Sequence, residues 1–156
     1  MKKYLLLLLL TASALLSSCE DNPTDALVPA QAVQNHLLKA NINGTDIFFN
    51  QTNVVKQDIT EGGITYTDLI VTANKENDTS KQIIFRMEYM QTGTETCYYF
   101  LYKVGDTEHD IETDDSFTTN VTQSTANNIK GTFSGTLEDF EGHPVTILNG
   151  NFDISF

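Results

Sequence analysis

The chain of 156 residues carries 21 acidic side chains against 9 Lys and Arg, which gives a formal net charge of −12 at pH 7. A surface of this charge repels phosphate backbones and anionic lipid, so nucleic-acid binding and direct adsorption to a bilayer are not expected. No cofactor is expected either.

The first residues have the features of an export signal. Lys2 and Lys3 precede an apolar run that includes six leucines at positions 5–10, and this run is shorter than the roughly 20 apolar residues of a membrane-spanning helix. The stretch "LSSC" that ends at Cys19 resembles the lipobox of bacterial lipoproteins. That resemblance implies cleavage before Cys19, a lipid on its sulfur and an acylated amine. Residues 1–18 are therefore predicted to be a helical lipoprotein signal peptide, and Cys19 the lipidation site.

The segment after Cys19 is expected to connect the lipid to a folded domain. Stable anchoring takes two or more acyl chains, which a lipidated cysteine supplies. Glu20 and Asp21 resemble the acidic export tag of Bacteroidota lipoproteins, which implies the outer membrane with the domain facing the exterior; the alternative is that they simply begin a polar linker. Residues 19–36, which include Pro23 and Pro29, are predicted to be a flexible tether.

Residues 37–156 are predicted to form one all-β domain. Runs rich in Thr, Val, Ile, Tyr and Phe alternate with turn residues, which favours an antiparallel β-sandwich or flattened small barrel of about 8–10 strands. Hairpin turns are predicted at Asn43 with Gly44, at Glu61 with Gly62 and Gly63, and at Asn149 with Gly150, because Asn and Gly tolerate positive φ.

Period-two alternation is clearest near the C-terminus. Phe133 and Leu137 fall on one face of their run, and Phe152, Ile154 and Phe156 on one face of theirs, with polar residues between them. Such alternation predicts antiparallel strands with one buried side and one side in water. Glycines 131 and 135 share the face of Phe133 and predict a bend or a close approach of backbone.

Both ends of this domain resemble a family of small Bacteroidota lipoproteins known as a domain of unknown function. The resemblance rests on the opening "ANING" and on the closing "GTFSGTLEDFEGHPVTILNGNF". It implies export, a β fold and no known activity, and it supplies no catalytic residues. We accordingly expect no catalytic site.

Two groups of residues are candidates for binding. Asp106, Glu108 and Asp110 have the spacing of the early ligands of a calcium loop, but Ile111 stands where such a loop needs glycine; the simpler interpretation is a solvated acidic loop. Tyr98, Tyr99 and Tyr102 could form a platform for a sugar if they face water; the alternative is that they belong to the core. Cys97, which directly precedes Tyr98, is predicted to be a buried, unreactive thiol.

These observations predict a non-catalytic, lipid-anchored lipoprotein of the outer membrane. Its partners would be the membrane, through the lipid on Cys19, and a glycan or protein at the cell surface. The alternatives are a lipocalin-like carrier of a small apolar ligand and a surface hydrolase. An open groove lined by aromatic residues would favour the binding module, a deep apolar cavity the carrier, and paired buried acids the hydrolase.

Overall fold

Runs of β-branched and aromatic residues form ten antiparallel strands in the computed structural model, which describes residues 37–94, 96–111 and 116–156. No helix occurs among these residues, so the predicted all-β fold is confirmed. The predicted signal peptide 1–18 and tether 19–36 lie outside the described residues. The strands are β1 (Leu37–Ile42), β2 (Thr45–Phe49), β3 (Gln51–Glu61), β4 (Ile64–Lys75), β5 (Asp78–Glu88), β6 (Cys97–Val104), β7 (Thr107–Asp110), β8 (Thr118–Ser124), β9 (Asn128–Glu138) and β10 (Pro144–Ser155).

The part of the chain that the structure describes holds no helical segment of the length and hydropathy that a membrane crossing requires.

All ten strands belong to one sheet with the order β2-β1-β10-β9-β7-β6-β5-β4-β3, and β8 adds to β9 beside β7. β2 and β3 stand at opposite ends of this order, yet only Asn50 separates them in the chain. The sheet must therefore curl until its two ends approach each other at Asn50. The sheet is not closed into a barrel, and the result is the sandwich-like, flattened architecture that the sequence predicts.

The core lies between the two halves of the curled sheet. Phe85 on β5 stacks against Phe100 on β6, with 6.0 Å between ring centroids, and against Phe152 on β10, with 5.0 Å. Phe133 on β9 lies 4.8 Å from Phe100 by the same measure. Because three strands, β9, β7 and β6, stand between β10 and β5 in the strand order, the contact of Phe85 with Phe152 joins distant parts of the curled sheet across the interior. Burying large aromatic surfaces is the main favourable term in such a core.

The predicted alternation in the last two strands is confirmed. Phe133, Leu137, Phe152 and Ile154 are all buried, and Phe156 is half-buried against the same core. The predicted close approach at Gly131 is also present, since a Cβ atom there would lie 2.5 Å from the Phe152 ring and from the backbone oxygen of Asn120.

Two of the three predicted hairpin turns are confirmed. Asn43 and Gly44, with φ of 49° and 82°, connect β1 to β2, and Gly62 and Gly63 connect β3 to β4. Both positions of a two-residue turn of this kind need positive φ, which Gly and Asn adopt at little cost.

The third predicted hairpin, at Asn149 and Gly150, is wrong. β10 continues through both residues as one strand, and the register with β9 shifts between Ile147 and Gly150. Asn149 has a φ of 52°, so this dipeptide forms a β-bulge and not a turn. The physical reason is that β10 pairs on one side with β9 and on the other with β1, and both partners hold the chain in line.

Candidate ligand-binding pocket

An open pocket lies on the outer face of the sheet, over β4, β5 and the start of β6. Leu69 and Val71 on β4 point into the core, so the alternating positions Tyr66 and Asp68 point outward. Asp68 pairs with Glu88 in the β4–β5 register, which places these two carboxylates side by side on the same face. The cavity has a volume of about 390 Å³, and we call it the Asp68 pocket. It is lined by Ile64, Tyr66, Asp68, Glu88, Thr96 and Tyr98.

Tyr98 reaches this pocket because of a β-bulge. Arg86 pairs with Tyr99 and Met87 with Cys97, so the register between β5 and β6 leaves Tyr98 without a partner. An extra residue of this kind lets two consecutive side chains leave the core face. Tyr98 is 53% exposed, whereas Tyr99 is half-buried with the Arg86 guanidinium 5.4 Å from its ring centroid.

Asp68 is the unusual residue of the pocket. It is 0% exposed and is the only buried acidic residue in the described part of the chain. Its Oδ2 accepts a hydrogen bond from the Tyr98 hydroxyl, while its Oδ1 is buried and has no hydrogen-bond partner among the residues that the structure describes. A buried carboxylate oxygen without a donor is costly, and such atoms are rare in folded proteins. Asp68 is thus a polar residue buried beneath the pocket, whose more accessible lining is formed by its neighbours.

The two tyrosine hydroxyls of the pocket are held in their protonated form. Burial of the Tyr98 hydroxyl, and then its hydrogen bond to Asp68, raise its pKa well above the ordinary value of 10.0. Desolvation, and then the negative charges of Glu61 and Asp68, raise the pKa of Tyr66. The Tyr66 hydroxyl donates to Glu61 Oε2 at 3.4 Å. At neutral pH both hydroxyls are thus hydrogen-bond donors.

The three candidate tyrosines do not form one platform. Tyr98 lines the Asp68 pocket, and Tyr99 lies next to it on the same face. Tyr102 is only 3% exposed and packs inside, edge-on against Phe49 with 6.5 Å between ring centroids. Tyr102 faces inward because normal alternation resumes after the bulge, and it belongs to the core.

The three candidate calcium ligands are not brought together either. Asp106 and Glu108 border a depression of about 370 Å³ near the β9–β10 turn, but Asp110 lies at the far end of β7 and does not line it. Glu108 Oε1 is engaged by Lys103 Nζ at 2.8 Å. Within residues 37–94, 96–111 and 116–156, no group of three His, Cys, Asp or Glu side chains is placed to hold a metal ion. Residues 112–115 of the acidic stretch lie outside the described residues.

The remaining reactive side chains also take structural positions. Cys97 is buried, as predicted, and this burial raises the pKa of its thiol to about 12. His109 lies in β7, where it is buried with its ring centroid 6.2 Å from that of Tyr102. His143 lies in the β9–β10 turn and contacts Asp139.

Five residues of the pocket were not predicted from the sequence as binding residues: Ile64, Tyr66, Asp68, Glu88 and Thr96. A partial signal exists, since Ile64, Tyr66 and Asp68 share one face of a period-two run, and Glu88 falls on the polar face of the next run. The sequence pattern does not show that Asp68 and Glu88 are opposite each other, because this depends on the strand register.

No family model matches the chain, and neither the curated proteins nor the solved structures provide a match.

Proposed function

We propose that this protein is a lipid-anchored, non-catalytic binding module on the exterior of the outer membrane, and that its ligand occupies the Asp68 pocket. The "LSSC" sequence at Cys19 and the acids after it support the anchor and the location. The observation that carries the binding role is the open pocket on the outer face of the sheet, which is lined by the aromatic side chains of Tyr66 and Tyr98 together with Glu88 and Thr96.

The shape and lining of the pocket fit ligand capture. Binding sites for small ligands are concave, span roughly 300–1,000 Å³ and combine apolar or aromatic walls with a few polar groups. The Asp68 pocket is at the lower end of that range and is open to solvent at Ile64, which is 72% exposed. A site of this size holds one sugar ring or one side chain, while the rest of a larger ligand extends into the solvent.

The two alternatives have less support from the geometry. A hydrolase of the two-carboxylate type would use a pair of acids, yet Glu88 is exposed and Asp68 already accepts a hydrogen bond from Tyr98. A lipocalin-like carrier would hold its ligand between the halves of the sheet, where the rings of Phe85, Phe100 and Phe152 pack against one another instead.

The anchor is tested with Cys19→Ala. The expected result is loss of labelling by a radioactive fatty acid and release of the protein from the membrane fraction. Partitioning of the variant with the membrane, as in the wild type, would contradict the proposal. Protease treatment of intact cells tests the location, since an exterior domain is cleaved without lysis and an interior one only after it.

The binding role is tested by probing arrays of defined glycans and peptides with the purified lipoprotein. We expect a ligand whose binding is lost in Tyr98→Ala and kept in Phe140→Ala. Phe140 is the matched control because it is an aromatic residue, 98% exposed, that does not line the Asp68 pocket. An array without any hit, or hits that are equal in all three proteins, would refute the pocket as the binding site.

A further inference from the structure

We propose that the free edge of β3 is a docking surface for a second copy of this chain, and that the two β3 strands pair antiparallel about a two-fold axis at Gln57. This inference goes beyond the proposed binding function and does not depend on the ligand of the Asp68 pocket. It follows from the position of β3 in the sheet, the direction of its backbone groups and the order of its side chains.

β3 is a long strand with one paired edge. It stands at one end of the strand order and pairs with β4 along all 11 of its residues, from Gln51 to Glu61. Among the described residues, no strand or turn forms a backbone hydrogen bond with its other edge. An edge of this length presents a row of N–H and C=O groups that pair readily with another chain.

The direction of these backbone groups follows from the hairpin turn. Gly62 and Gly63 form a two-residue turn, so Glu61 and Ile64 exchange hydrogen bonds across it, and every second residue of β3 then does the same with β4. The residues between them direct their N–H and C=O groups to the free edge, and they are Thr52, Val54, Lys56, Asp58 and Thr60. A second strand must therefore place its own edge-directed residues opposite these.

The charges on this edge select one register for a second copy. In antiparallel pairing about Gln57, Lys56 of each copy lies opposite Asp58 of the other, which gives two pairs of opposite charge. A two-fold axis at Lys56 or at Asp58 would place like charges opposite each other, and an axis at Val55 or Ile59 would leave the charges without an opposite charge. Edge lysines oppose pairing with other chains, but in the Gln57 register Asp58 neutralises this one.

Both charged side chains have capacity for the contact. Asp58 is exposed, and its Oδ1 accepts a hydrogen bond from Thr67 Oγ1 at 2.7 Å, while no described residue donates to its Oδ2. The exposed Lys56 Nζ donates to the backbone oxygen of Ala126 at 2.9 Å and to the Tyr89 hydroxyl at 3.2 Å, and an ammonium group has three donors. One donor of Lys56 and one oxygen of Asp58 thus remain for the second copy.

The outer face gains an apolar contact in the same register. Val55 lies opposite Ile70 on β4, and Ile59 lies opposite Tyr66, so Val55 and Ile59 both point to the outer face. Val55 is 45% exposed, although valine is among the residues that are most often buried. About Gln57, Val55 of one copy lies opposite Ile59 of the other, and an apolar row then runs from Ile70 of one copy to Tyr66 of the second. The charges on one face and the apolar residues on the other therefore favour the same register.

Cysteine cross-linking of the full chain tests this register. The protein carries Cys19→Ala, so that the buried Cys97 is its other cysteine. In Gln57→Cys the two thiols face each other at a non-hydrogen-bonded position, where Cα atoms are about 4.5 Å apart, within the range of a disulfide. Mild oxidation at low protein concentration should give a disulfide-linked dimer on a non-reducing gel. Val55→Cys and Ile59→Cys should each stay monomeric alone and should cross-link when they are mixed.

Charge reversal tests the two ion pairs. Sedimentation equilibrium of the Cys19→Ala protein should show a monomer and a dimer, and Asp58→Lys should raise the dissociation constant of the dimer at least about tenfold, because lysines then face each other. Asp58→Lys mixed with Lys56→Glu should form a heterodimer, since opposite charges face each other again in both pairs. Glu138→Lys is the matched control: Glu138 is exposed and lies on β9, and this change should leave the dissociation constant as it is.

Two outcomes overturn the inference. A protein that stays monomeric at millimolar concentration, with no cross-link in Gln57→Cys, does not dock a second copy on this edge. A dimer that Val55→Cys alone cross-links as well as Gln57→Cys does, and that Asp58→Lys leaves intact, associates in another way. If Lys56→Glu does not fold, Gln57→Cys and Asp58→Lys still decide, because both residues are exposed. The array experiment tests the Asp68 pocket separately, so either proposal can fail without the other.

Discussion

Truncation of Phe152 to alanine should remove a large part of the stability of the domain. Phe152 is 3% exposed and packs against Phe85, with 5.0 Å between ring centroids, and against Phe133, with 6.5 Å. Phe→Ala changes in a core cost about 3–5 kcal/mol, and the cost is highest where neighbours cannot fill the cavity. Gly131 lies against this ring and has no side chain that could move in, so we expect about 4–5 kcal/mol. A whole domain has only about 5–15 kcal/mol of stability.

Urea melts of the purified protein, followed by far-UV circular dichroism, measure this loss. With a slope of about 2 kcal/mol per molar urea, 4 kcal/mol lowers the midpoint by about 2 M. Ser134→Ala is the matched control, because Ser134 alternates with Phe133 and points to the outer face; it should change the stability by less than about 0.5 kcal/mol. If Ser134→Ala cost as much as Phe152→Ala, the inner and outer faces would be reversed and the core described above would be wrong.

Four further predictions concern pH, reactivity, packing and metal. The hydrogen bond that His143 Nδ1 donates to Asp139 Oδ2, 3.0 Å away, raises the pKa of His143. This turn should therefore stabilise the fold fully below about pH 6.5 and lose that contribution as pH rises through the raised folded-state value; stability measured against pH should show this decline in the wild type and not in His143→Gln. Burial raises the pKa of the Cys97 thiol to about 12, so in a Cys19→Ala background iodoacetamide should label it at pH 8 only after unfolding; rapid labelling of the folded protein, read by mass spectrometry, would contradict its burial. Gly131→Ala should cost about 1–3 kcal/mol in the same urea melts, because the new methyl group would come 2.5 Å from a backbone oxygen; a cost under 0.5 kcal/mol would show that the strands separate easily. Millimolar calcium should leave the melting temperature nearly unchanged, and a rise of several degrees that EDTA reverses would show that the acidic stretch binds the ion.

The sequence alone was sufficient for the features that depend on near neighbours. The direction of a side chain alternates along any strand, so the burial of Phe133, Leu137, Phe152 and Ile154 could be predicted without knowing which strands pair. The turn at Asn43 and Gly44 could be predicted for a similar reason, because positive φ is a property of the residues themselves.

The tertiary structure decided the features that depend on which strands lie side by side. Asn149 and Gly150 have the same local preference as the first turn, but β10 pairs with β1 and β9 on its two sides, and the dipeptide becomes a bulge. The order that brings β2 and β3 to the two ends of the sheet is likewise a result of pairing between distant segments.

The candidate site also depends on which strands lie side by side. Tyr98 was predicted as a ligand-contacting residue from its sequence, but its outward direction comes from a bulge that only the β5–β6 register reveals. Asp68 and Glu88 lie 20 residues apart in the chain and become neighbours through the β4–β5 register. The burial of Asp68 is a property of the assembled sheet, because it depends on what surrounds the side chain. A one-residue change of the β4–β5 register would separate Asp68 from Glu88.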